Sequence, residues 1–556
     1  MPKLTKELLD TYKTPASPET GYIKVGMNTC GISAGAQKIY DAFVHKVKEK
    51  NIPIEIKKCG CLGMCHAEPL IEVKIGGKPS VLYGRLDREK ALSLLENKSL
   101  PEFLVEESPG QKKIVLRNCG VIDPERIEDY LEKQGYQAIK KSIFELGPEK
   151  TIEEIKKSGL RGRGGAGFPT WRKWKNTRES ESSDDNHHGR FIICNGDEGD
   201  PGAYMDRSVL EGDPHSVIEG MMIAGYAIGS STGYFYIRAE YPLAVERIRK
   251  AIAQCYRYGL LGKNILQSDF NFDLETRLGA GAFVCGEETA LIASIEGRRG
   301  YPRPRPPYPS VKGLWGKPTA INNVETLANV PYIILNGGEN YSRIGTGQSR
   351  GTKVFALTGK IMNSGLAEVP MGMTLREIIY KIGGGIANNK EFKAVQTGGP
   401  SGGIISKDYL DTPISYESLQ ELGSIMGSGG MIVMDEDDCA VDVAKFFMKF
   451  CFDESCGKCA PCRIGTAQAL KILEKITSGI GSHEDLDNLK RICHAMQKAS
   501  LCGLGQTAPN PLLSSLRYFE DEYLEHIDEK ICRAGRCREL KKRPESPGIL
   551  QHKETK

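Results

Sequence analysis

The chain has 556 residues, with 75 Lys and Arg against 71 Asp and Glu. That length implies several domains, each able to bury a core, and a net charge of +4 is too small to argue for nucleic acid or an acidic membrane as partner. Met1-Pro-Lys-Leu-Thr-Lys-Glu lacks the apolar run of a signal peptide, and the longest apolar region, Met221 to Ile237, is interrupted by glycine and serine; a cytoplasmic protein without direct membrane insertion is expected.

Seventeen cysteines are too sparse for a secreted disulfide scaffold and bunch in three places, which argues for metal or iron–sulfur ligation. Cys119, Cys194, Cys255, Cys285, Cys439 and Cys493 lie outside the bunches and read as small buried hydrophobes.

Residues 1–20 read as a loose arm. A strand at Ile23–Gly26 leads to Cys30 and a helix over Gln37–Lys50. A second strand at Ile54–Ile56 enters Cys59-Gly-Cys61-Leu-Gly-Met-Cys65-His66, followed by a strand from Leu70. This order resembles the thioredoxin-like 2Fe–2S ferredoxin domain of the complex I small subunit, whose second ligand pair is matched by Cys61 and Cys65. The first pair is incomplete: Cys30 has no second cysteine nearby. A 2Fe–2S cluster normally takes four thiolates, so Cys59 is the available substitute. The alternative is a docking module with Cys59 unligated or with no cluster. His66 reads as a solvated or capping side chain.

Pro101–Gln111 reads as a linker, and helices over Pro124–Lys141 and Thr151–Ser158 deliver the chain to Ser158–Trp174. Five glycines in the ten residues from Gly159 to Phe168 let backbone N–H groups close on a polar ligand, while Arg161, Arg163 and Lys173 add charge and Phe168 an apolar face. A phosphate joined to an aromatic ring suits that set, as in a flavin mononucleotide or a dinucleotide. The spacing is neither a P-loop nor a clean Gly-x-Gly-x-x-Gly, and an unliganded surface loop is the alternative. Glu179–Gly189 reads as an exposed loop.

Phe191 to Tyr204 is a buried strand ending in Asn195, Asp197, Glu198 and Asp200, at the strand end where α/β folds bind ligands. An Asp/Gly turn is the plain alternative, and carboxylates beside a ribose would disfavour a 2′-phosphate. A strand at Tyr234–Tyr241 and a helix over Pro242–Tyr258 continue a βαβ pattern. A second glycine loop, Gly279 to Ala290, offers Phe283 as a platform for a ring, with Gly286, Glu287 and Glu288 beside it. The Pro-rich run Arg298–Pro309 offers Arg303, Arg305 and Tyr308, and Asn322-Asn323-Val-Glu-Thr326 opens a helix where phosphate or ribitol can bind.

Short strands at Val354–Thr358 and Ala367–Pro370 flank a helix at Leu375–Lys381 and resemble a β-grasp domain. Cys456-Gly-Lys-Cys459-Ala-Pro-Cys462 lets one turn embrace three corners of a 4Fe–4S cubane, with Cys502 as the fourth ligand; a structural zinc is the alternative. Helical periodicity over Ala467–Lys475 and Asp485–Gln497 suggests a bundle carrying the site. Cys451, His526, Cys532 and Cys537 make a tetrahedral zinc set, the alternative being free thiols and a surface histidine. The basic tail after Leu540 reads as flexible and holds no cysteines for further clusters.

Together these stretches resemble the FMN- and NADH-binding flavoprotein subunit of complex I, and within it the diaphorase subunits of NAD(P)-linked or electron-bifurcating FeFe-hydrogenases and of NAD-dependent formate dehydrogenases. The resemblance spans essentially the whole chain. It implies an α/β multidomain fold: a thioredoxin-like domain (1–105), a Rossmann-like FMN/NAD(H) domain (106–345), a β-grasp domain (346–430), a helical iron–sulfur bundle (431–530) and a tail (531–556).

By the same resemblance, FMN is held at Gly162, Arg163, Gly164, Lys173, Asn195, Asp197, Glu198, Gly286, Glu287, Asn322, Asn323 and Thr326, and NAD(H) at Phe168, Asp200, Glu288, Arg305 and Tyr308. Complex I carries glutamate, lysine and phenylalanine at the positions of Asp200, Arg305 and Tyr308, so the choice between NAD and NADP is left open.

The function implied is hydride transfer between NAD(H) and FMN, with electrons passing through the Cys456/Cys459/Cys462/Cys502 cluster to or from a partner. The partners expected are a thioredoxin-like 2Fe–2S small subunit and a large iron–sulfur catalytic subunit of hydrogenase or formate dehydrogenase type, in a hetero-oligomer such as a dimer of heterotrimers. Alternatives are a ferredoxin-linked transhydrogenase and a non-catalytic electron-wiring and assembly subunit.

Overall fold

The computed structural model describes residues 3–12, 21–75, 78–96, 98–181 and 189–542. Most of the Glu179–Gly189 loop and the tail beyond 542 lie outside them. Part of the N-terminal arm is ordered: Lys6–Thr11 is helical, capped where the Leu8 amide donates to Thr5 Oγ1 (3.2 Å) and anchored by the buried Leu9.

The first sheet has the order β2-β1-β3-β4, built from β1 (Gly21–Gly26), β2 (Glu55–Cys59), β3 (Leu70–Ile75) and β4 (Val81–Gly84). β1 and β2 are parallel and so need a crossover, which the helix Ala36–Glu49 supplies with Ile39, Ala42 and Phe43 turned inward.

The second sheet is wholly parallel, in the order β7-β6-β5-β8, from β5 (Phe191–Gly196), β6 (Thr232–Arg238), β7 (Asp273–Gly279) and β8 (Thr319–Asn323). The chain winds outward from β5 to β7 and then returns to set β8 against the other side of β5. A sheet wound this way opens a crevice at the carboxyl ends of the two strands flanking the reversal. Helices cover the inner strands β5 and β6, which are largely apolar and buried, while the edge strand β7 carries exposed Asp273, Glu275 and Arg277. The apolar region near Met221 belongs partly to one of these helices, Pro214–Ile228, which is buried along nearly its whole length. Among the described residues, no helix is long and apolar enough to cross a membrane.

A five-stranded mixed sheet follows, in the spatial order Gly365–Pro370, Thr352–Gly359, Gly430–Asp435, Phe392–Thr397, Gly403–Ser406. The helical segment between its strands begins at Leu375, where the sequence pattern puts it, and its turns over Glu377–Ile382 are wound as a π-helix. Helices Ala440–Asp453, Ala460–Thr477, His483–Ala499 and Asn510–Leu524 then pack around a core that includes Leu473, Leu489 and Leu512.

Candidate functional site: a crevice beside a cysteine pocket

The glycine loop is an excursion between two helices. Gly159 ends Gly147–Ser158 in the left-handed region (φ +66°), and the Gly162 amide donates to the Phe168 carbonyl (2.9 Å) before Thr170–Glu179 begins. At Gly164 a Cβ would stand 3.0 Å from the Cβ of Asn323, so glycine is what lets the loop close on the start of the helix Val324–Asn336. Asn323 caps that helix, accepting from the Thr326 amide (3.3 Å), and Trp174 donates to Asn322 Oδ1 (2.9 Å). The loop and the carboxyl end of β8 thus form one wall of the crevice.

Arg163 departs from the expected role. Its guanidinium is fully buried and donates to the carbonyls of Thr352 (3.0 Å), Arg161 (3.0 Å) and Arg350 (2.5 Å), so it ties the loop to the third sheet and has no reach toward a phosphate. Lys173 pairs with Glu288 and donates to the Ile321 carbonyl (2.8 Å), while Arg305 lies 3.6 Å from Glu288. Phe168 and Tyr308 remain open to solvent, 45% and 55% exposed, as ring-stacking surfaces require.

The opposite wall is the acid loop after β5. Asn195 donates to the Gly286 carbonyl (3.0 Å) and accepts from the Asp197 amide (3.0 Å). Both carboxylate oxygens of Asp197 are buried without a hydrogen-bond partner among the described residues, and burial pushes the carboxyl up to about 7. An acid kept so short of donors in a ligand crevice fits a ligand that brings N–H or O–H groups, as an isoalloxazine and ribitol do. Glu198 accepts from the amides of Asp206 and Arg207 (3.1 Å each), and Asp200 accepts from Ser428 (2.5 Å). Burial raises Glu198 to about 7 and Asp200 to about 6.

Phe283 is likewise not the free platform expected. Its ring meets Phe450 edge-on at 5.3 Å and its amide donates to Glu454 (2.8 Å), so this loop docks the crevice against the helical bundle. Glu287 caps Glu288–Ile295, accepting from the amides of Thr289 (2.9 Å) and Ala290 (3.0 Å).

Behind that loop, Cys456, Cys459, Cys462 and Cys502 line one cavity with Val284, Pro302, Leu501 and Leu504. Cys459 and Cys502 cap helix starts and Cys462 lies in a first turn, where backbone N–H groups favour thiolate charge. Burial pushes the Cys462 thiol up to about 11, so its ionisation calls for a cation such as a metal supplies. Four thiolates from two loops in an apolar pocket fit a 4Fe–4S cubane.

The other two cysteine groups differ from the expected sets. At the carboxyl end of the bundle the ligand atoms of Cys439, His526, Cys532 and Cys537 all lie within 4.8 Å of one another, and all four residues are buried. Cys451 is not among them; it sits near the Pro400 carbonyl with Met496 and Ala508. Cys439 and Cys451 stand at opposite ends of Ala440–Asp453, roughly 18 Å apart along the axis, so only one can reach the tail. His526 Nδ1 donates to the Glu522 carbonyl (2.6 Å), which leaves Nε2 facing Cys537 Sγ (3.3 Å) and Cys439 Sγ (3.5 Å) as a ligand atom.

In the N-terminal unit Cys30 and Cys65 lie 3.8 Å apart and Cys65 contacts Cys61. Cys59 closes β2, where the charges acting on its thiol are those of Lys24, Glu72, Glu68 and Asp123. Three of the four expected thiols are thus brought together and Cys59 stands apart. His66 bonds the Ser364 carbonyl (3.1 Å) across to the third sheet rather than facing water. Sequence reasoning missed Cys439, whose place at a helix start was its only signal, and Arg207, whose reach to Cys30 no spacing announces.

A family model described as the Nuo51 FMN-binding domain matches residues 155–332, which contain both glycine loops and the acid loop. One described as the NADH-ubiquinone oxidoreductase-F iron–sulfur binding region matches residues 442–526, which contain the cysteine pocket. The chain is 56% identical over 430 residues to the NADP-reducing hydrogenase subunit HndC of Solidesulfovibrio fructosivorans, covering 77% of this chain and 86% of that one. It is 42% identical over 419 residues to an NADH-quinone oxidoreductase subunit of Rhizobium meliloti, covering 75% and 98%. A solved structure of an NAD+-reducing [NiFe]-hydrogenase in the H2-reduced state superposes with a TM-score of 0.66 at 30% identity, over 94% of this chain and 87% of that one. The chain belongs to the family of FMN-binding, iron–sulfur flavoprotein subunits found in NADH-quinone oxidoreductases and in NAD(P)-linked hydrogenases.

Proposed function

We propose that this oxidoreductase subunit exchanges hydride with NAD(H) at an FMN in the crevice between β5 and β8 and exchanges single electrons through the Cys456/Cys459/Cys462/Cys502 site with a hydrogen-converting partner subunit. The observation that carries the reading is the loop Phe283–Glu288. It touches the acid loop through Gly286, the bundle through Phe283 and the cysteine cavity through Val284. A two-electron site and a one-electron site therefore share one wall.

When bound, FMN supplies the step that no side chain here offers: it takes a hydride and gives up electrons one at a time. The chain's own part is to bind and orient. Glycines at 162 and 164 let the loop backbone approach the ligand, Asn195, Asp197, Asn322 and Asn323 accept and donate along it, and Phe168, Glu288, Arg305 and Tyr308 receive the nicotinamide nucleotide. No acid or base is required for the hydride itself.

The domain reading assigns the first sheet to a thioredoxin-like unit, the second to a Rossmann-like one and the third to a β-grasp spacer. Cys30, Cys61 and Cys65 offer three of the four ligands that a 2Fe–2S cluster takes, with Cys59 not brought to them, and Cys439, His526, Cys532 and Cys537 form the set for a structural zinc. The hydrogenase partner is favoured over a formate dehydrogenase by the two hydrogenases among the relatives, and its FeFe type rests on the sequence resemblance alone. Adding NADH without oxygen to the purified chain should bleach the flavin absorbance. A flavin-loaded chain that stays oxidised under excess NADH and NADPH would overturn the enzyme reading and leave the wiring-subunit alternative.

A further inference from the structure

Besides Cys456, Cys459, Cys462 and Cys502, the cysteine pocket is lined by apolar groups and by two polar side chains, Ser455 and Lys458. Lys458 is exposed and its ammonium donates to the Pro302 carbonyl (2.6 Å); among the described residues no hydrogen bond joins it to a sulfur. Ser455 is placed differently. Its Oγ lies 3.3 Å from Cys462 Sγ. A cysteine that ligates iron has lost its proton, so in the loaded site the hydroxyl is the donor and the sulfur the acceptor.

Forming the local turn does not use up that hydroxyl. Ser455 follows the helix Ala440–Asp453, and its amide donates to the Phe452 carbonyl (3.3 Å). Its oxygen accepts from the Gly457 amide (3.3 Å), and Arg463 donates to the Gly457 carbonyl (2.6 Å), so the turn is gripped from both sides. An oxygen that only accepts in the turn keeps its proton to give, and among the described residues Cys462 Sγ is the acceptor in reach. Burial and the three other cysteines oppose ionisation of the Cys462 thiol, whereas the Ser455 hydroxyl favours it. The preceding residue, Glu454, accepts from the Phe283 amide (2.8 Å), so the donor stands one residue from the contact that docks the crevice loop on the bundle.

We propose that Ser455 is a positioning residue that raises the reduction potential of the iron–sulfur cluster held by Cys456, Cys459, Cys462 and Cys502, by donating its hydroxyl to Cys462 Sγ. The inference rests on the 4Fe–4S reading of that pocket, whose four thiols supply the full ligand set. Reduction adds one electron to a site that thiolates and sulfides already make anionic. An O–H donated to a ligand sulfur therefore stabilises the reduced form more than the oxidised one. The apolar lining strengthens the effect, because few other dipoles compete with it. A cluster made easier to reduce is the better receiver of electrons from the crevice.

The test uses the full chain purified without oxygen, with iron and flavin content measured before an EPR-monitored redox titration of the cluster. Ser455→Ala should shift the midpoint potential to a more negative value, and Ser455→Thr, which keeps the hydroxyl, should hold it near that of the parent. Lys458→Gln should move it less than Ser455→Ala does. A Ser455→Ala chain that keeps both its iron and the parent potential overturns the inference while the cluster reading stands. A shift that Ser455→Thr shares in full belongs to the turn and not to the hydroxyl, and overturns it too. Proton ENDOR of the reduced parent cluster needs no variant: a coupled proton that vanishes in D2O is expected, and its absence overturns the inference even if Ser455→Ala sheds its iron. A parent chain without iron at these four cysteines sinks the cluster reading and the inference with it.

Discussion

At the scale of single residues, Asp197 is the group most out of balance. Burial lifts its carboxyl from 3.8 in the unfolded chain to about 7 in the fold, with Arg238 as the opposing charge. Between those values the folded chain holds a proton that the unfolded chain has released, so this contribution to stability is fully present below 3.8 and is lost as pH rises through 7. Flavin-free protein should therefore lose stability as pH rises from about 4 to about 7, by at most roughly 4 kcal/mol from this group. Asp197→Asn should flatten that part of the profile in thermal melts, and an unchanged slope would refute the assignment. Lys353 and Glu325 present a different balance: a fully buried ion pair whose lysine also donates to the Val354 carbonyl (2.8 Å). Lys353→Met strands the carboxylate and should cost roughly 3–5 kcal/mol in denaturant unfolding, with much of that recovered in the double variant Lys353→Met/Glu325→Leu.

At the scale of elements, what could be read in the chain was whatever depends on residue type within a short run. The crossover helix over Pro242–Tyr258, the acid loop after β5 and the Cys-x-x-Cys-x-x-Cys turn all stand where the pattern put them, because each is a local requirement of backbone or ligand. What could not be read was which distant segments meet. Nothing in the glycine loop says that Arg163 turns inward to the Thr352 and Arg350 carbonyls, and nothing around Cys451 says that the other end of its helix faces the tail. The Cys439/His526/Cys532/Cys537 set, proposed above as a zinc site, is the sharpest case, since a period of 3.6 residues orders side chains around a helix but does not tell which end reaches a partner. Cys439→Ser and His526→Ala should release bound zinc, as measured by metal analysis, and lower the unfolding temperature by several degrees, while Cys451→Ser keeps the metal. Retention of zinc in Cys439→Ser with loss in Cys451→Ser would restore the ligand set suggested by spacing.

At the scale of the whole molecule, hydride chemistry and electron export are separable in space although they share a wall. The crevice is lined by the acid loop, the glycine loop and the end of β8, and the described contacts of Asp197, Asn322 and Lys173 include no thiol of the cysteine pocket. The pocket in turn takes its lining from the bundle and from Val284 and Pro302, on the far side of the same loop. A lesion in the pocket should therefore spare the first half of the reaction. Cys459→Ser, with its thiolate replaced at a helix start, should keep FMN and let NADH bleach it at a rate within about threefold of the parent, while electron delivery to the assembled partner complex falls at least about tenfold. Stopped-flow bleaching and complex turnover measured on the same preparation separate the two. If a folded, flavin-loaded Cys459→Ser chain lost bleaching as severely as turnover, crevice and pocket would be one functional unit, and the division of labour across Phe283–Glu288 would be wrong.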